Sequence, residues 1–99
     1  MTSPLPLTAQ TQVVASSEPV ISELAGEAVI LDPTSGIYYG LSNDVGIRIW
    51  QLIQQTVSVA QVRDTILSEY EIDTEQCDRD TIELLQALVN NHLVEIVDA

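Results

Sequence analysis

Turn residues divide the first half of this sequence into runs that are too short for helices of ordinary length. The breaks contain serine, proline, glycine or alanine and lie at positions 16–19, 25–26 and 33–36. The runs between them are rich in Val, Ile and Tyr, which favour extended backbone. They predict three strands, at Val20–Leu24, Glu27–Leu31 and residues 37–41. Because the connections are short, the strands should form hairpins and therefore an antiparallel meander.

The hydrophobic period becomes helical after residue 41. Either Ser42 or Asn43 is expected to cap a first helix, whose apolar face continues to Ile53. Ser58 is followed three residues later by Gln61, which is the spacing of a capping box. This pair predicts a second helix over roughly residues 59–70.

A third helix is predicted from the Asp73 cap to about Asn90, with an apolar stripe along one side. Asn90 and Asn91 favour a left-handed end to this helix. Residues 93–97 are apolar enough to fold back on the core as a short extended tail. Near the other end of the chain, Val13 and Val14 predict a further extended fragment.

The chain length sets the domain organisation, because 99 residues supply one hydrophobic core and no second one. Strands followed by helices indicate an α+β domain with its core between the sheet and the helices. Pro4 and Pro6 interrupt an N-terminal segment without a sustained period. We therefore expect a flexible tail over residues 1–12 and a folded domain over residues 13–99.

The charge balance excludes several classes of partner. Against 15 Asp and Glu residues stand three arginines and no lysine, giving a formal net charge of −12. Such a surface repels phosphate backbones and anionic membranes, so we expect neither nucleic acid nor a membrane as a partner. The sequence contains no signal peptide and no run of about 18 apolar residues, which favours a cytoplasmic protein.

The cysteine and the histidine, which could form a nucleophile and its base, are not placed close enough together for catalysis. Cys77 and His92 fall at opposite ends of the third helix, roughly 22 Å apart at about 1.5 Å per residue, which is too far for a nucleophile and its base. One cysteine and one histidine also exclude an internal disulfide and a multi-histidine metal site. No glycine-rich phosphate loop occurs. We therefore expect no enzyme activity, no metal and no cofactor, and we expect Cys77 to be buried in the core.

Several motifs together resemble the PqqD family. The strand and first-helix segments read GEAVILD at residues 26–32, SGIYYGL at 35–41 and VGIRIW at 45–50. The remaining motifs are Glu69-Tyr70, Cys77 followed by Asp80, Leu84-Leu85 with Leu88, and Leu93-Val94-Glu95. The resemblance covers about 80 residues and is greatest to the discrete leader-binding proteins of lasso-peptide biosynthesis. One departure is that Leu41 and Gly46 are five positions apart, where the family usually has four.

The resemblance implies a RiPP recognition element, a winged-helix-like domain that captures the leader of a ribosomally made precursor peptide and does no chemistry itself. In lasso systems the implied partners are a transglutaminase-like leader peptidase and an ATP-dependent macrolactam synthetase. The leader is expected to add a strand beside residues 37–41 and to contact the third helix. The expected leader-binding residues are Ile37, Tyr38, Tyr39, Gly40, Leu41, Asp78, Ile82, Glu83, Leu85 and Val89.

Two other classes of function compete with this interpretation. A winged-helix transcription factor, or a regulatory interaction domain of that fold, would share the order of elements. However, residues 73–83 carry five acids and one arginine, so this helix would be repelled by phosphate. A small enzyme would need an enclosed pocket with catalytic groups, and the sequence shows no such group of residues.

Overall fold

The computed structural model describes residues 7–24, 27–41 and 44–97. Within these ranges the chain forms six strands and three helices, which confirms the α+β class. The elements are β1 (Gln12–Ala15), β2 (Val20–Leu24), β3 (Glu27–Leu31), β4 (Tyr38–Leu41), α1 (Asp44–Leu52), β5 (Val57–Ser58), α2 (Val59–Glu69), α3 (Thr74–Asn90) and β6 (Val94–Val97).

The expected meander is the antiparallel sheet β2-β3-β4. β2 and β3 have their predicted bounds, and β4 begins at Tyr38, one residue later than expected. The turn before β4 is closed by a backbone hydrogen bond from Asp32 N to Ile37 O of 2.8 Å. Gly36 within that turn has φ 77°, a left-handed conformation that glycine adopts without strain.

A second antiparallel sheet, with strand order β5-β1-β6, was not predicted. The expected fragment at Val13 and Val14 is its central strand, and the expected extended tail forms β6 at one edge. β5 is only two residues long and pairs through Val57 and Ser58 with β1. The two ends of the domain are thereby held beside one another.

Residues 7–12 belong to the segment expected to be a flexible tail, and in the structure they contact the domain. Leu7 is 5% exposed and is part of the core. The carbonyls of Ala9 and Thr11 accept hydrogen bonds of 3.0 and 2.9 Å from the amides of Ala60 and Val59. These amides begin α2 and have no partner within their own helix. The division of the chain at residue 13 remains a prediction.

The predicted helix starts at Ser58 and Asp73 are confirmed. Ser58 Oγ accepts from Gln61 N at 3.1 Å, while Ser58 N donates to Gln61 Oε1 at 3.0 Å, which completes the capping box of α2. Asp73 accepts from Gln76 N at 3.3 Å at the start of α3. The predicted cap of α1 at residues 42 and 43 lies outside the described residues.

The left-handed end of α3 occurs at His92, with φ 61°, and the prediction that Asn90 and Asn91 would supply it is wrong. Asn91 has φ −95° and continues the turn. Leu93 N then donates to Leu88 O at 2.9 Å, across the left-handed residue. Because Leu93 is fully buried, packing of this side chain determines where the helix ends.

Two arginines link the helices around the core. Arg48 of α1 donates from Nε and Nη2 to both carboxylate oxygens of Glu69 of α2, at 2.8 and 2.9 Å. This hydrogen bonding lowers the pKa of the Glu69 carboxyl. Arg63 of α2 donates to Asp78 of α3 at 3.2 Å.

No helix in the described part of the chain is long and apolar enough to cross a membrane.

Candidate functional site

Strand β4 forms one edge of the meander sheet. It pairs with β3 on one side and with no other described strand on the other. Backbone groups alternate in direction along an antiparallel strand, and the Asp32–Ile37 bond shows that Ile37 faces β3. Tyr39 and Leu41 then face β3 as well, whereas the N–H and C=O groups of Tyr38 and Gly40 point to the open side. The edge therefore presents backbone donors and acceptors to a further strand.

A groove runs beside this edge and has a volume of about 660 Å³. β4 and α1 form one side of it, and the α2–α3 connection and α3 form the other. The groove is lined by Tyr39, Gly40, Leu41, Val45, Gly46, Ile49, Glu71, Ile72, Asp73, Gln76, Cys77, Asp80, Thr81, Glu83 and Leu84.

The floor of the groove is buried and largely apolar. Side chains alternate between the two faces of β4, so Tyr39 and Leu41 face the helices while Tyr38 faces solvent. Leu41 is 4% and Ile49 is 2% exposed. Cys77 and Thr81 are one helical turn apart on α3 and lie on the same face. The floor therefore suits an apolar side chain.

The rim of the groove is acidic. Four carboxylate residues line it, namely Glu71, Asp73, Asp80 and Glu83, and no arginine does so. Asp73 serves as the helix cap. Across the described ranges, the side chains of the other three form no hydrogen bond and no ion pair. The rim therefore carries negative charge that no described lining residue balances, although Arg79 lies next to Asp80 on α3 outside the lining.

Cys77 is 2% exposed, which confirms that it is buried. Its Sγ lies 3.8 Å from the Arg63 carbonyl oxygen and 3.9 Å from Thr81 Oγ1. His92 is exposed beyond the other end of α3. The structure thus places no histidine beside the thiol.

Four of the expected leader-binding residues line the groove: Tyr39, Gly40, Leu41 and Glu83. Ile37 immediately precedes β4, and Tyr38 lies on the outer face of the sheet with 73% exposure. Both are next to the open edge, although their side chains do not line the groove.

The other four expected residues lie elsewhere on α3. Asp78 faces α2, where Arg63 binds it. Leu85 is fully buried and Val89 is 9% exposed, so both belong to the core. Ile82 is half-buried and packs against the core rather than lining the groove.

Sequence reasoning missed the contribution of α1 and of the connection before α3. Val45, Gly46 and Ile49 line the groove from α1. The signal available in the sequence was Gly46, a glycine inside a helix, where a side chain is normally favoured by about 1 kcal/mol. Gly46 is buried and lines the groove.

The part of the chain that the structure describes contains no group of three His, Cys, Asp or Glu side chains that could hold a metal ion. The arrangement of the site is that of an open strand edge next to a groove with an apolar floor and an acidic rim. Such an arrangement can bind an extended peptide through its backbone and through alternate side chains.

The chain is similar to one known family and to two solved structures. The family described as coenzyme PQQ synthesis protein D (PqqD) matches residues 27–94, more than half of the chain. A solved structure of TbiB1 in complex with the TbiA(beta) leader peptide is 32% identical, with a TM-score of 0.72 over 87% of this chain and 99% of that one. Lasso peptide synthetase B1 complexed with the leader peptide is 29% identical, with a TM-score of 0.69 over 84% of this chain and 96% of that one. No curated protein matches the chain.

Proposed function

Because this chain belongs to the PqqD family, we propose that it is a RiPP recognition element that binds the leader of a ribosomally made precursor peptide. The observation that carries the proposal is the open edge of β4 beside the groove. Two proteins that share the fold over most of their length are in complexes with leader peptides. The leader adds a strand to β4, so that the sheet grows from three strands to four.

Specificity in this mechanism comes from side chains, because strand pairing reads only the backbone. An added strand directs every second side chain toward the groove. Tyr39, Leu41 and Ile49 offer an apolar surface to those side chains. Of the residues expected from the sequence, Asp78, Leu85 and Val89 support the position of α3 instead of contacting the leader, since they face α2 and the core.

The protein acts as a carrier and not as an enzyme in this proposal. The groove holds a thiol, carboxylates and a hydroxyl, but no histidine lies beside the thiol. The leader is delivered in the cytoplasm to maturation enzymes, namely a transglutaminase-like leader peptidase and a macrolactam synthetase. The support for these partners is the likeness to lasso peptide synthetase B1.

The test uses the full chain and synthetic leader peptides taken from short precursor genes that a search of the neighbouring coding regions identifies. Titration calorimetry should show one-to-one binding, and a scrambled peptide of the same composition should not bind. Mass spectrometry after long incubation should find the leader unchanged. Equal binding of the scrambled peptide would refute leader recognition, and cleavage or a mass shift caused by the pure protein would refute a non-catalytic role.

A further inference from the structure

We infer that the groove selects leaders that carry an arginine or lysine side chain facing α3 and disfavours leaders with an acidic side chain there. This inference rests on the proposed leader-binding function and specifies the chemistry of the peptide. Its basis is the combination of an open strand edge, an apolar floor and a rim of unpaired carboxylates along one groove.

The charges within the groove all have the same sign. Asp80 and Glu83 lie on the groove side of α3, and Glu71 lies in the connection before it. Elsewhere in the described structure, Arg48 and Arg63 are engaged in ion pairs between helices. No arginine lines the groove. The third arginine, Arg79, is exposed on α3 but does not line the groove and forms no ion pair in the described structure. A peptide entering the groove therefore meets carboxylates that have no ion-pair partner among the described residues.

The spacing of a strand allows one peptide to use both the floor and the rim. Side chains on one face of a strand recur every second residue, about 7 Å apart. One such side chain occupies the apolar floor near Leu41 and Ile49. The next one on that face lies farther along α3, where Asp80 and Glu83 are separated by a rise of about 4.5 Å. The methylene groups of an Arg or Lys side chain pack on Leu84 while its charge reaches these carboxylates.

A competing explanation is the net charge of −12, which attracts any cationic peptide from a distance. The two explanations differ in whether the location of a charge matters. Long-range attraction depends on the total charge, whereas local selection depends on the charges that line the groove. Glu75 provides the matched control. It is an exposed glutamate on α3, like Glu83, but it does not line the groove.

The experiment selects a phage-displayed library of random decapeptides on the full chain and on the variants Glu83→Lys and Glu75→Lys. The unaltered protein should enrich peptides with Arg or Lys at a fixed two-residue interval from an apolar residue. Glu83→Lys should remove this preference, while Glu75→Lys should retain it. For a selected peptide, fluorescence polarisation should show about a fivefold weaker affinity for Glu83→Lys, the upper range for an exposed ion pair.

Circular dichroism confirms that both variants are folded. Enrichment of peptides without a basic residue at a fixed position would overturn the inference, although leader binding would stand. Equal loss of affinity in Glu83→Lys and Glu75→Lys would also overturn it, in favour of long-range attraction. If the unaltered protein enriches no peptide at all, the proposed leader-binding function itself fails.

Discussion

At the scale of single residues, Cys77 combines burial with a position on the floor of the groove. Replacement by Ala removes buried volume and should destabilise the protein by about 1–3 kcal/mol. Under the proposed function, leader processing in an assay that contains the proposed maturation enzymes should persist at temperatures where the variant is folded. Thermal unfolding by circular dichroism and the processing rate are the two measurements.

Thr81→Ser is the matched control for Cys77→Ala, because Thr81 is buried one turn away on the same face of α3. It should lose stability through the buried methyl group and keep processing. A Cys77→Ala protein with an unchanged melting temperature but no processing would instead indicate a catalytic or redox role for the thiol.

The end of α3 shows that local residue preferences do not determine which residue adopts the left-handed conformation. Asparagine tolerates the left-handed conformation well, so Asn90 and Asn91 were reasonable positions for it. The structure places it at His92 because the following residue, Leu93, is fully buried. Local preference thus predicted the kind of helix end correctly and its position wrongly, since the position depends on tertiary packing.

At the scale of elements, the direction of the backbone groups in β4 predicts different outcomes for proline at neighbouring positions. Gly40→Pro removes a donor that faces the open edge, so leader affinity should fall while the sheet remains folded. Tyr39→Pro removes a donor that faces β3 and should instead destabilise the meander. Calorimetric titration with the leader and circular dichroism separate these outcomes.

Gly40→Ala is the control for the loss of the backbone donor. A side chain at this position meets no atom within 4 Å, so the variant should fold, keep its N–H group and bind the leader normally. Unaltered affinity in a folded Gly40→Pro protein would exclude strand addition at β4.

The elements that the sequence predicted well are those with local signals. β2 and β3 are bounded by turn residues, and α2 begins at a capping box, so short stretches of sequence were sufficient. The second sheet joins β1, β5 and β6, which come from three distant parts of the chain. A two-residue strand such as β5 has no periodicity of its own, so its pairing could not be predicted locally.

The orientation of α3 explains why the groove was only partly predicted. Its apolar stripe is wide, and sequence alone did not determine which part of it faces β4. The sequence predicts Ile82, Leu85 and Val89 at the groove, whereas the structure places Thr81 and Leu84 there. A one-residue difference corresponds to a rotation of about 100° around the helix axis. Packing of Leu85 in the core sets this rotation.

At the scale of the whole molecule, the net charge of −12 acts against the compact state, because like charges are closer together in the folded chain. The arrangement of the helices offsets part of this repulsion locally. Arg48 binds Glu69 between α1 and α2, and Arg63 binds Asp78 between α2 and α3. Both pairs are partly exposed, and exposed ion pairs contribute little to stability. The repulsion of the remaining carboxylates should therefore dominate the response to salt.

This balance predicts that the melting temperature rises when salt is added at neutral pH. Between about 0.01 M and 0.15 M NaCl the screening length falls from about 30 Å to about 8 Å, so long-range repulsion weakens before contact pairs do. A gain of about 1 kcal/mol corresponds to a rise of about 4–8 °C for a domain of this size. Glu95→Gln, which removes one exposed charge on β6 outside the groove and away from any helix N-terminus, should raise the melting temperature at low salt and reduce its salt dependence. A melting temperature that falls with added salt would mean that the two interhelical ion pairs outweigh the repulsion of the whole surface.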